Sequence, residues 1–254
     1  MTPRLRTGQL VAQLIDVSVR RGDKRVLDGI SLSINCGRVL ALLGQSGAGK
    51  STLLHVLTGE LAPSGGEIDS GGHDLKKGTV HQAPLLFPWL TVRENAGLGQ
   101  TYAANKDVPP ELVDELLELL GLTAVENSYA EEISGGQAQR VALARALAIA
   151  PDVLLLDEPF SALDPLTRAE LQTWLRRQVT ERGWTTVMVT HDIDEALVLA
   201  DEIVLLGAGG RIAHRWTHRP ESQDGPSGSS AGRAELRAEI QAAYHTAAKE
   251  PDHV

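Results

Sequence analysis

Cysteine occurs once in the 254 residues, at Cys36, so neither an internal disulfide nor a cysteine-built metal site can form. A small buried hydrophobe is the reading that remains for it. An excess of basic charge is also missing. Lys and Arg number 24 against 33 Asp and Glu, a net charge of −9, and nucleic acid as the main partner would require a basic face to neutralise phosphates. Long hydrophobic runs are absent too. The longest apolar-rich stretch, 141–156, is interrupted by Arg145, Pro151 and Asp152, short of the ~18 uninterrupted residues of a spanning helix. The segment Met1–Arg6 lacks the apolar core of a signal peptide. A soluble, cytoplasmic chain whose membrane link runs through a partner is expected. No repeat of 20 to 50 residues is present, and 42% hydrophobic with 22% charged residues excludes wholesale disorder.

What is present is α/β alternation. Residues 10–20 and 26–34 partly alternate apolar with polar, as half-buried strands do. Val39–Leu43 is a continuous apolar run, suited to a strand buried on both faces. A glycine-rich turn and a helix from Lys50 follow. The turn-rich stretch 63–72 predicts a short hairpin. Leu112, Val113, Leu116, Leu117 and Leu120 fall at helical spacing before Gly121, and a second helix is expected from Gly136 to about Ala150. Alternation then resumes with strand 153–156, a helix from Pro165 capped by Asp164, strand 186–189, a helix capped by Asp192, and strand 202–206. The pattern predicts a mostly parallel sheet flanked by helices, with a helical insertion over about 88–150. A flexible linker is expected over 216–232, and a tail over 233–254 whose helix aligns Leu236, Ile240 and Tyr244. Those last ~40 residues are too few for another domain, so a chain ending after Gly225 is expected to keep its catalytic activity.

Gly44-Gln45-Ser46-Gly47-Ala48-Gly49-Lys50-Ser51 matches G-x-x-x-x-G-K-S, with an apolar strand before it and a helix, continuing through Thr52, after it. Glycines let successive N–H groups turn inward around a phosphate, and the helix adds the positive end of its dipole. Lys50 would reach the β- and γ-phosphates of ATP, and Ser51 would ligate Mg2+. Val153–Leu156 then forms a buried strand ending in Asp157, suited to a metal, and Glu158, suited to polarising a water.

Ile133-Ser134-Gly135-Gly136-Gln137, continued by Gln139-Arg140, resembles the Leu-Ser-Gly-Gly-Gln signature of ATP-binding cassette (ABC) transporter ATPases. Alone it would be a turn and helix cap. Here other elements fall in family order: Gln82 resembles the Q-loop glutamine, 161–164 (Ser-Ala-Leu-Asp) the D-loop, and His191 the switch histidine. The resemblance implies a P-loop NTPase over 8–215, with a mostly parallel α/β core, a small antiparallel β subdomain and an inserted α-helical subdomain. It implies catalytic roles for Glu158, His191, Gln82 and Lys50, and metal contacts from Ser51, Gln82 and Asp157. It further implies that Ser134, Gly135, Gly136 and Gln137 meet a nucleotide held by a second subunit. The adenine-stacking aromatic of the family should stand near position 21, where this chain has Arg21, whose guanidinium plane can also stack on a base.

The stretch 81–95 resembles the nitrate/sulfonate/taurine importer group, while 96–99 and 160–165 also occur in thiamine-type importers. The resemblance thus implies an importer ATPase at the cytoplasmic membrane face, homodimeric or paired with a similar subunit, serving transmembrane permease subunits and an external substrate-binding protein. A non-transport ABC ATPase of DNA repair, translation or regulation is the alternative. The absence of long coiled-coil insertions or a second cassette, the acidity, and the presence of both Glu158 and His191 weigh against it.

Overall fold

The computed structural model describes residues 8–72, 74–161, 163–218, 220 and 230–247. Ala162 of the expected D-loop, residues 221–229 of the expected linker and 248–254 of the expected tail lie outside the described residues. The chain divides into two compact units, one of Met1–Asp74 with Gln172–Val254, the other of Leu75–Leu171.

In the first unit, β1 (Leu10–Arg21) and β2 (Lys24–Asn35) pair antiparallel, and β4 (Gly65–Asp69) joins the free side of β1. Val11, Leu14, Val17 and Val19 of β1 are buried. The alternation slips between Leu14 and Val17 because the strand bulges there, with Asp16 at φ +51° and its amide donating to Ser31 Oγ. This bulge is why residues 10–20 alternate only in part. The hairpin expected over 63–72 is instead this single strand on β1. Gly66, at φ +76°, permits it, since a Cβ there would collide with the Asp16 carbonyl oxygen.

The same unit holds parallel strands in the order β7 (Thr186–Thr190), β3 (Val39–Gly44), β8 (Glu202–Leu206), with β9 (Ile212–Thr217) antiparallel on β8. Every residue of β3 is buried, as its unbroken apolar run requires. Helices α1 (Lys50–Thr58) and α6 (Ile193–Leu199) follow β3 and β7. The linker boundaries read from composition need correction at both ends. The sheet holds the chain through Thr217, paired with Glu202, and α7 (Ser230–Ala247) begins before residue 233. Helix α7 is part of the unit's packing. Ile240 is fully buried, Trp216 Nε1 donates to Glu239 at 2.9 Å, and Arg237 grips Asp194 through two bonds of 2.7 and 3.0 Å. Truncation after Gly225 would therefore uncover core, which the short length of the tail does not reveal.

The second unit pairs β5 (Lys77–Val80) in parallel with β6 (Val153–Asp157) and carries α2 (Val92–Gly97), α3 (Glu111–Leu119) and α4 (Gly135–Leu147). Helix α2 begins in a capping box, with Thr91 Oγ1 accepting from the Glu94 amide and Glu94 accepting from the Thr91 amide. Val113, Leu116 and Leu117 form the buried stripe of α3, and Gly121 ends that helix at φ +66°. Helix α5 (Pro165–Arg182) leaves this unit, its first amides capped by Asp164 Oδ1.

Candidate nucleotide site

The phosphate-loop residues of the first unit form a cradle. Gly47 stands at φ +84° and Gly49, the N-cap of α1, at φ +94°. Side-chain-bearing residues rarely adopt such angles. A Cβ at Gly49 would also lie 2.8 Å from the Val26 carbonyl oxygen. The turn brings the start of α1 onto the end of β3, so the helix's first amides, which have no intrahelical partners, end at the loop. Lys50 is 6% exposed, and its Nζ donates to the carbonyl oxygens of Gly44 at 2.8 Å and Gln45 at 2.9 Å. A buried ammonium held at the loop carbonyls beside the first amides of α1 fits a polyphosphate, because it supplies the full charge that helix-start amides can only approximate. Ser51 is exposed on the first turn of the helix, while Thr52 is buried.

A pocket of about 310 Å3 adjoins the loop, lined by Gln45–Ala48, by Lys24–Val26 at the start of β2, by the β8–β9 turn and by Tyr244 of α7. Arg21 is exposed at the end of β1 and does not line this pocket. His191 is exposed between β7 and α6. Its neighbours are fixed: Thr190 Oγ1 donates to Glu195 Oε2 at 2.6 Å, and Asp192 caps α6 by accepting from the amides of Asp194 and Glu195.

In the second unit, β6 ends at half-buried Asp157, and the chain turns sharply at Glu158, φ +44°. A left-handed glutamate costs of order 1–3 kcal/mol. It is held by the Ser161 amide and hydroxyl, both donating to the Glu158 carbonyl oxygen at 3.2 and 2.9 Å. The structure brings Gln82 to it, with Nε2 donating to Glu158 Oε2 at 3.3 Å. Among the described residues no three His, Cys, Asp or Glu side chains cluster as a metal cage. Taken each within its own unit, the Ser51 hydroxyl and the Asp157 carboxylate are oxygen donors of the kind Mg2+ takes, an ion that prefers few protein ligands alongside phosphate oxygens and water.

Ser134 is the N-cap of α4 in a reciprocal box, its Oγ accepting from the Gln137 amide at 3.2 Å and its amide donating to Gln137 Oε1 at 2.8 Å. The box uses the third helical amide and leaves the Gly135 and Gly136 amides at the helix start, where an anion is favoured. Gly135 has open space around a Cβ position.

Sequence reasoning missed the residues that shape the segment after Gln82. Arg145, on α4, donates to the carbonyl oxygens of Pro84 and Leu85, both at 2.8 Å, and burial pulls its pKa down from the usual arginine value. Asn95, with no exposure, donates to the carbonyls of Phe87, Leu90 and Thr91 and accepts from the Phe87 amide. The segment so pinned presents Leu85, Phe87 and Trp89 to solvent, with the Phe87 and Trp89 rings 5.3 Å apart. No motif marks Arg145 or Asn95 for this task.

The model of the ABC transporter family matches residues 27–161. The chain belongs to the ABC transporter family, as one of its ATP-binding domains. The cassette is 45% identical over 196 residues to the nitrate import ATP-binding protein of Synechococcus elongatus, covering 74% of this chain and 30% of that protein. It is 46% identical to the sulfate/thiosulfate import ATP-binding protein of Synechocystis sp., covering 76% and 57% respectively. With the taurine import ATP-binding protein of Roseobacter denitrificans it shares 41%, over 74% of this chain and 73% of that one. The cassette thus spans well under two thirds of the first two relatives. Among solved structures, a dimeric ATP-binding cassette in a post-hydrolysis state with ADP and Pi superposes with a TM-score of 0.71 at 30% identity, covering 83% of this chain and all of that one. Its α/β architecture is the one described above.

Proposed function

We propose that this chain binds and hydrolyses ATP with Mg2+ to energise a separate transmembrane permease that imports a small polar nutrient. The observation that carries the reading is the Gly44–Ser51 cradle with Lys50 bonded inside it. In this reading the loop amides and Lys50 bind the phosphates, while Ser51, Asp157 and Gln82 hold Mg2+. Glu158 orients the attacking water and draws its proton away, and His191 meets the γ-phosphate. Mg2+ supplies charge neutralisation on the phosphates; the other tasks belong to the chain. Ser134, Gly135 and Gly136 offer their helix start to the nucleotide of a second copy, so the working unit is a dimer with shared sites. The relative solved as a dimer supports this.

Among the described residues no helix is long and apolar enough to cross a membrane, and the exposed Leu85–Trp89 segment suits a protein partner. A permease held there would place the chain at the cytoplasmic membrane face, in a system with an external substrate-binding protein. The relatives named for nitrate, sulfate and taurine favour a small oxyanion over a thiamine-like cargo. Calorimetry of ATP binding with and without Mg2+, together with phosphate release, tests the core of the proposal. Micromolar-range binding that Lys50→Ala removes is expected; a wild-type chain that neither binds nor hydrolyses ATP overturns it.

A further inference from the structure

The phosphate cradle fixes one end of a nucleotide and leaves open what receives the base. The pocket beside the loop holds a single aromatic ring among its described lining residues, and that ring comes from α7. We propose that Tyr244, resting on the nucleotide-site reading above, forms the wall against which the nucleobase packs.

Three observations carry this. Tyr244 lines the same pocket as Gln45, Ser46 and Gly47, so a ligand seated on the loop and filling the pocket meets its ring. Second, the ring is fixed before any ligand arrives. Its hydroxyl donates to the Gly44 carbonyl oxygen at 3.3 Å, and the His245 ring stands edge-on to it at 6.5 Å. One turn earlier Ile240 is fully buried, and the Glu239 and Arg237 bonds to Trp216 and Asp194 hold the helix beneath. A ring already in place loses little freedom on binding, which favours affinity. Third, the wall beyond the loop and α7 carries no other ring among the described residues: it is Lys24–Val26 on β2, aliphatic Leu205 and Leu206 at the end of β8, and Gly207–Gly210 in the β8–β9 turn. Such a wall accepts a phosphorylated sugar but offers no second flat apolar face. Tyr244 thus does for the base what Arg21, exposed and outside the pocket, is not positioned to do. The class of ligand is a nucleoside triphosphate read by ring stacking, which selects a flat base with little regard to its edges.

The test uses the full chain and two probes, MgATP and magnesium tripolyphosphate, with binding measured by calorimetry. Base–aromatic stacking contributes to affinity base by base, so Tyr244→Ala should weaken ATP about tenfold while tripolyphosphate changes less than about twofold. Tyr244→Phe should bind ATP within about threefold of wild type, because the ring is kept. Equal weakening of both probes in Tyr244→Ala, or no weakening of either, overturns the proposal, and the first result would assign Tyr244 to holding the loop through Gly44. A wild-type chain that binds neither probe overturns the phosphate-loop reading and this proposal with it. If Tyr244→Ala does not fold, photolabelling of the wild type with 8-azido-ATP decides: adducts on 233–247 or on the facing pocket residues 24–26 support the proposal, and adducts confined to 20–22, outside the pocket, refute it.

Discussion

The side-chain amide of Gln82 donates to a carboxylate oxygen of Glu158 across 3.3 Å, and Glu158 is held in a left-handed backbone conformation while it accepts. The contact is at the long end of hydrogen bonding, so it orients the carboxylate. Glu158→Gln retains the shape and removes the base. It should keep ATP binding within a few-fold and lower steady-state phosphate release by ~100-fold or more. Binding isotherms and release rates on the same preparations check both halves; a turnover equal to wild type would remove Glu158 from the chemical step.

Asn95 makes four bonds to the Phe87–Thr91 segment from a position with no exposure. Asn95→Leu fills similar volume but leaves the Phe87 amide and the Leu90 carbonyl short of a partner, while the Phe87 and Thr91 carbonyls keep the amides of Leu90 and Asn95, so it should lower unfolding stability by roughly 2–4 kcal/mol. Urea unfolding at matched m-value measures it. The Phe87–Trp89 surface should loosen before the unit unfolds, visible as faster amide exchange at Phe87.

The Gly44–Ser51 loop reads directly because its chemistry is local: loop, lysine and helix start lie within eight positions, and the structure places strand β3 and helix α1 around it as the spacing predicts. Strand 202–206 is found with the same boundaries for a related reason, an apolar run between polar turns. Strand β5, Lys77-Gly-Thr-Val, is four residues with a lysine and a glycine, and its pairing with β6 alone makes it a strand. Tyr244 lies 200 positions from Gly44, so only the docking of α7 reveals its place. The bulge at Asp16 blurs the alternation of β1 in the same way.

Asp28 gives a pH dependence with a defined sign. The hydrogen bond from Arg211 holds its carboxyl below the ordinary aspartate range, against the opposing effect of desolvation and with Arg25 assisting. A depressed folded-state pKa contributes stability that is present above the unfolded value, about 3.9 for aspartate. That contribution is lost as pH falls through the lower folded value. Wild type should therefore exceed Asp28→Asn in stability at pH 7, and the difference should shrink steadily once the pH drops below about 4. Thermal unfolding of both proteins across that range measures the convergence. A gap that stays constant down to pH 2.5 would mean that the ion pair contributes nothing and that shape alone separates them.

Ser134 closes the capping box of α4 and leaves the amides of Gly135 and Gly136 at the helix start. If those amides serve the nucleotide of a second subunit, Ser134→Arg should abolish turnover by filling the anion position with a long side chain, at a capping cost of ~1 kcal/mol that leaves the fold intact. Lys50→Ala should abolish it from the other side, by emptying the cradle. A mixed dimer of the two variants concentrates both defects in one site and leaves the other site complete. In an equal mixture half of the dimers are mixed and half of their sites are intact, so turnover should return to about one quarter of the wild-type rate. The measurement is phosphate release against mixing ratio, with native mass spectrometry confirming mixed dimers. Sites built within single subunits would give no recovery at any ratio, since every site in such a mixture carries one defect. Silence despite confirmed mixing therefore refutes independently acting shared sites, whereas a maximum near equal mixing can arise only if one subunit completes the site of the other.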